Sequence, residues 1–173
     1  MKREFLTGLT VAAFVVQGAP IAGATMVLRS LSLDETTQTA DRIVYAKVAN
    51  VRVGNDEAGL LATWITFDLE RTLKGRHVDH VTIKQLGDCD ASRTKAIGRI
   101  PDLPLYAVGE DVIVFVRRDS ARGFTSPVGL GDGVIRVKGS GSDRSIQGGA
   151  HQGEAVEVLL SRIADLVAAQ AKP

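Results

Sequence analysis

The sequence predicts a mainly β protein: a small, partly closed antiparallel barrel of five to six short strands, flanked by a short N-terminal helix and an amphipathic C-terminal helix. Three observations carry that prediction. Leu61, Thr63, Ile65, Phe67 and Leu69 alternate with Ala62, Trp64, Thr66, Asp68 and Glu70, a strict period of two with one apolar face. Asp111 to Val116 is apolar on both phases, as in a strand covered on both sides. Ile43 to Val53 is long, rich in β-branched residues, and shifts its apolar phase midway, which calls for a bulge or strong bend.

Ahead of these elements, Lys2 and Arg3 precede the apolar run Leu6 to Val16, and Ala22-Gly23-Ala24 fits a small-residue cleavage site. Residues 1–24 are therefore expected to be a signal peptide, since the run is shorter than the roughly 20 residues that span a bilayer. The mature chain would start at Thr25 and be secreted or periplasmic, with no membrane span after cleavage. Residues 25–173, roughly 150, suit a single domain with a core of its own. The full chain carries a net charge of +1, and loss of Lys2, Arg3 and Glu4 brings it to about 0. That balance argues against a nucleic-acid partner, which needs clustered cations. One cysteine, Cys89, excludes an intramolecular disulfide.

Along the mature chain, Ser32 and Glu35 stand at capping-box spacing and predict a helix ending near Ala40. The strand at 43–53 follows, then a turn at 54–59, the alternating strand, the Leu73-Lys74-Gly75 stop, and a strand from Val78 to Leu86. Residues 87–109 form an unusually long excursion carrying Pro101 and Pro104, read as a short helix or a functional loop. Phe124 to Leu130 and Val134 to Lys138 read as two strands of a hairpin turned by Gly131-Asp132-Gly133. Residues 139–149 are rich in Gly and Ser and read as flexible. Val156, Leu159, Leu160, Ile163 and Val167 form the apolar stripe of a helix over about 153–169.

The chemistry-bearing residues concentrate in 75–89, which holds His77, His80 and Cys89. On a strand, positions three apart point to opposite faces, so the two imidazoles diverge unless His77 belongs to the turn. A metal site would need Cys89, a histidine and a carboxylate such as Asp88 or Asp90 to converge through loop folding. A nucleophilic pair would need Cys89 beside His80 or His151. Cys89 as a buried apolar residue is the alternative. The chain has no G-x-S-x-G elbow and no phosphate-binding loop, and no cofactor is expected. Trp64 falls on the mostly polar face of its strand, where an aromatic suggests a surface that meets a partner.

Several phrases in order carry a resemblance: Ala40-Asp41-Arg42-Ile43-Val44, Leu73-Lys74-Gly75, the run Val81 to Gly87, the run Ile100 to Glu110, and the strand ending Phe115-Val116. Over residues 31–138 they resemble a group of uncharacterised exported bacterial proteins. That group looks like an OB-type β-barrel, similar to the netrin and tissue-inhibitor-of-metalloprotease module. The resemblance implies an OB-like barrel and makes an exported zinc metalloprotease a candidate partner class. It departs at Asp88 and Cys89, where a second glycine is usual, and at Tyr106, where phenylalanine is usual. Zinc chelation by an N-terminal cysteine, the animal inhibitors' device, is not implied, since no cysteine lies near Thr25.

Together these readings predict a non-catalytic binding or structural module that engages a protein or envelope partner through Trp64 and the Pro101, Pro104 and Tyr106 loop. The rival reading is an exported metal-dependent or thiol enzyme using His77, His80 and Cys89.

Overall fold

The computed structural model describes residues 30–95 and 97–171; the predicted signal peptide lies outside them. Helix α1 (Leu33–Thr39) begins as its sequence requires. The Ser32 hydroxyl accepts the Glu35 N–H at 3.2 Å, and the Glu35 carboxylate accepts the Ser32 N–H at 2.9 Å. Both orphan donors are thereby satisfied. Ser32→Ala is expected to cost about 1 kcal/mol of stability, read as a lower urea midpoint; an unchanged midpoint would show that docking alone holds α1.

Six strands follow: β1 (Arg42–Asn55), β2 (Leu61–Lys74), β3 (His80–Leu86), β4 (Asp111–Val116), β5 (Val134–Lys138) and β6 (Ser145–Gln147). They form one antiparallel sheet in the order β3-β2-β1-β4-β5-β6, with α2 (Val156–Gln170) packed on one face. The mainly β architecture with two helices is as the sequence predicts. The sheet itself is open, with β3 and β6 at its two ends.

Strand β1 organises the sheet. Its first half pairs with both β2 and β4, and its second half pairs with β2 alone. Register shifts between Tyr45/Ala46 and Val48/Asn50 mark the irregularity that the phase change in the sequence predicts. The β1–β2 turn is tied by Asp56, whose Oδ1 accepts the N–H groups of Ala58 and Leu60, both at 2.9 Å.

Two apolar layers lie on the two sides of the sheet. On one side Ile43, Tyr45, Ile113, Phe115 and Ile146 pack against Val156, Leu159, Leu160 and Ile163 of α2, the predicted stripe. Lys74 fastens both helices, its Nζ reaching the carbonyls of Thr37 (2.9 Å) and Gln38 (3.3 Å) and the Gln170 side chain (3.0 Å). A cation at the last carbonyls of α1 also meets the negative end of the helix dipole. On the other side Val44, Ala46, Val48, Ile65, Phe67, Ile83, Val112 and Val114 gather with Tyr106 and Cys89. β4 contributes to both layers, which is why it is apolar on both phases.

Residues 87–109 contain neither a helix nor a strand among the described residues. They are a structural strap. Tyr106 N–H donates to the Cys89 carbonyl (2.8 Å) and Ala91 N–H to the Tyr106 carbonyl (2.9 Å). Thr63 pins the other end, its hydroxyl donating to the Gly87 carbonyl (2.7 Å) and accepting the Cys89 N–H (2.9 Å).

Two expected elements differ. Phe124 to Leu130 is not a strand and Gly131-Asp132-Gly133 is not a hairpin turn: Leu130–Gly133 is a 3-10 turn, and the preceding run makes a single bridge, Val116 to Pro127. Pro127 has no N–H to give a ladder, and Gly129 and Leu130 adopt left-handed φ values of 64° and 57°. Gly133 is required there because a Cβ would collide with the main chain of Val128 and Phe115. The Gly/Ser-rich stretch 139–149 contains β6, with Ile146 fully buried, so one apolar side chain anchors what composition alone reads as flexible.

Candidate functional site

Strand periodicity decides what the outer face of β2 and β3 presents. Residues paired across an antiparallel ladder share a face, and Trp64 pairs with Lys84, Thr66 with Thr82, and Asp68 with His80. On β1, Arg52 pairs with Trp64. These side chains lie opposite the inner layer of Ile65, Phe67 and Ile83.

Trp64 is half-buried and held on both sides. The Arg52 guanidinium stacks 3.9 Å from its ring centroid, and Lys84 Nζ lies 5.9 Å away. Lys84 also sits 4.2 Å from the Phe124 ring. Each such contact contributes about 0.5–1 kcal/mol at exposed positions. Lys84 is fixed further by Asp56 Oδ2 at 2.8 Å and by the Arg122 carbonyl at 3.3 Å. The hydrogen bond from Lys84, followed by that from the Leu60 N–H, holds the Asp56 carboxyl below the ordinary carboxylate range. Lower on the same face the Thr66 and Thr82 hydroxyls meet at 2.9 Å, and His80 Nδ1 lies 2.8 Å from Asp68 Oδ1. The result is a strip with one oriented indole, fixed cations and hydroxyls.

The residues singled out in the sequence separate in space. His80 stands on this outer face and is exposed, as is His77 in the preceding turn. Cys89 is 1% exposed and belongs to the inner layer. His80 and Cys89 therefore sit on opposite sides of the sheet. Burial pushes the Cys89 thiol up to about 11, against the smaller opposing effect of its Thr63 contact. It is thus a protonated thiol near neutral pH, whereas nucleophiles and metal ligands are thiolates. His151 is elsewhere, its Nδ1 3.1 Å from Glu154 Oε2. Among the described residues no group of three or more His, Cys, Asp or Glu side chains is placed to hold a metal ion.

Trp64 and the proline loop likewise fall on opposite faces. Tyr106 is fully buried against Phe67, ring centroids 5.7 Å apart and edge to face, and its hydroxyl accepts from Gln85 Nε2 at 3.1 Å. Desolvation raises its phenol well above the usual range. Pro104 is buried, and Pro101 is exposed. Tyr106 and Pro104 thus anchor the strap, while Trp64 is the member of the set that both faces solvent in part and is aromatic.

Sequence reasoning missed Arg52 and Lys84 as partners of Trp64, and Phe124 as a partner of Lys84. The first two follow from register: Asn55 pairs with Leu61 across the β1–β2 turn, which sets Arg52 opposite Trp64, whereas a turn at 54–59 would have set it opposite Leu61. Phe124 had no such signal, because it arrives from a non-strand segment.

The arrangement defines a mainly β protein with a structured aromatic and cationic strip on one sheet face. No protein-family model matches this chain, and no curated protein does either. No helix among the described residues is long and apolar enough to cross a membrane.

Proposed function

We propose that this chain is an exported, non-catalytic binding module with an OB-like barrel fold, and that it engages a protein or envelope partner through the Trp64 strip. An exported metalloprotease is the partner class that the motif resemblance favours. The observation that carries the reading is Trp64 itself. It is stacked on Arg52 and backed by Lys84, and it belongs to neither apolar layer of the sheet. A large aromatic already fixed in orientation loses little freedom on binding, which is how interface anchors concentrate affinity.

The OB-like part of the reading draws on the bulged β1 shared by both halves of the sheet. It draws also on the 124–128 run, which bonds to β4 through Val128 N–H to Phe115 O (2.9 Å) and to β3 through Thr125 N–H to Lys84 O (2.8 Å). Export rests on the leader pattern in residues 1–24. The non-catalytic part rests on the divergence of His77, His80 and Cys89.

The test is quantitative co-purification from the cell envelope with wild-type and Trp64→Ala chains, each shown to be folded by its melting curve. Trp64→Ala is expected to lower recovery of the specific partner by about tenfold or more, as for a central aromatic anchor. Equal recovery by a folded variant would remove this face as the binding surface.

A further inference from the structure

The end of the sheet where β3 is exposed has a feature that the Trp64 strip does not use. Leu69 N–H donates to the Asp79 carbonyl and Gly87 N–H to the Leu61 carbonyl. With the β2–β3 register, these bonds place the odd-numbered main-chain groups of β3 toward β2 and the even-numbered ones outward. Lys84 agrees, its carbonyl facing out to accept Thr125 N–H at 2.8 Å. Thr82 then presents both its N–H and its C=O at an open edge, and it is exposed.

That edge lines one wall of a cavity of about 330 Å³, whose opposite wall is the run from Val116 to Asp119. The charges around it are strongly unequal. Arg42, Arg76, Arg117 and Arg118 line it, against Asp41 and Asp119. Asp41 is engaged, accepting the Arg118 N–H at 2.8 Å and its guanidinium at 3.3 Å. Asp119 is engaged by the Thr125 hydroxyl. The side chains of Arg42, Arg76 and Arg117 have no ion pair or hydrogen bond with another described residue. Three unpaired guanidinium groups, set against the one remaining carboxylate of Asp119, thus surround a free strand edge.

We propose that this mouth takes up an acidic peptide in extended conformation, which pairs with β3 at Thr82 and places its carboxylates on Arg42, Arg76 and Arg117. Main-chain bonds to an edge strand supply register, and alternate side chains supply selectivity. Guanidinium groups bind carboxylates in paired, planar fashion, so acidic residues at alternate positions complement this rim. The Thr125 bond to Lys84 sets where the added strand stops. The inference is independent of the Trp64 reading.

The probe is an acetylated, amidated octapeptide alternating Glu and Val, titrated into the folded mature chain by calorimetry. Binding is expected, weakening as salt rises, with none for the matching Lys and Val peptide. Thr82→Pro removes the outward N–H at an edge position, where proline is tolerated, and is expected to weaken binding about tenfold. Arg76→Glu with Arg117→Glu, both exposed, is expected to abolish it and serves as the second variant should Thr82→Pro fail to fold. Trp64→Ala is expected to bind the peptide as wild type, which keeps the two surfaces separable. No binding by wild type, or full binding by folded Thr82→Pro, overturns the proposal. So does equal competition by free glutamate or inorganic phosphate, which would mark a small-anion site without strand pairing.

Discussion

Replacing Phe67 with Ala is expected to lower stability by about 3–5 kcal/mol, the range for a fully buried phenylalanine. Phe67 is 1% exposed and meets Tyr106 edge to face, so the truncation opens a void where the long strap docks on the sheet. Its effect should extend along the strap. Cys89 shares that layer and bonds to Tyr106 through the main chain. In Phe67→Ala, thiol labelling of Cys89 should therefore speed up well before global unfolding. Urea denaturation reads the first effect and labelling in low urea reads the second. A loss under 1 kcal/mol with unchanged labelling would mean that the strap does not depend on this contact. Tyr106→Phe is the milder control: it keeps the ring and leaves the Gln85 amide without that partner, at about 1–3 kcal/mol.

Stability is also expected to fall steeply between pH 9 and 11. Cys89 has an ordinary value of 9.0 and is held at about 11 in the folded chain by burial. Below pH 9 both states keep the proton, so the full contribution is present. Above it the unfolded chain releases the proton first and gains relative to the folded one. The contribution is lost as pH passes through 11, on the order of 2–3 kcal/mol from this group alone. Tyr106 and Tyr45 act with the same sign, beginning near their ordinary value of 10.0, since desolvation raises both phenols. Urea midpoints measured from pH 8 to 11 should decline, and Cys89→Ala should flatten the first part of the decline. A flat profile in the wild-type chain would show that these groups ionise without unfolding.

The local elements were the legible part of this chain. A capping box three residues wide started α1, and a stripe at helical spacing laid out the buried side of α2. Strict alternation puts Trp64 and Phe67 on opposite faces of their strand. Each of these signals lies within one element, where the period of the backbone converts spacing directly into a face. The two elements that differed failed for local reasons that composition hides. Asp-Gly reads as a hairpin, yet Pro127 and the close approach of main chain at Gly133 made a 3-10 turn. Gly and Ser around Ile146 read as flexible, yet a buried isoleucine and main-chain bonds to β5, Gly153 and Glu154 hold a short strand there.

The sites were far less legible, because they are made by register and by strap folding. His77, His80 and Cys89 look like a cluster within a dozen residues; period-two geometry sends His80 outward, and the strap takes Cys89 inward. Trp64 and Tyr106 were joined as one surface, but the sheet stands between them. Conversely, Arg42, Arg76 and Arg117 are scattered along the chain and gave no signal until β1, β2 and β4 brought their ends to one mouth. By itself the sequence determined the two helices and the apolar side of the alternating strand, since those follow from spacing and propensity within one element. Only the tertiary structure decided which side chains meet, because strand pairing and the course of a long loop depend on contacts between residues far apart in the chain.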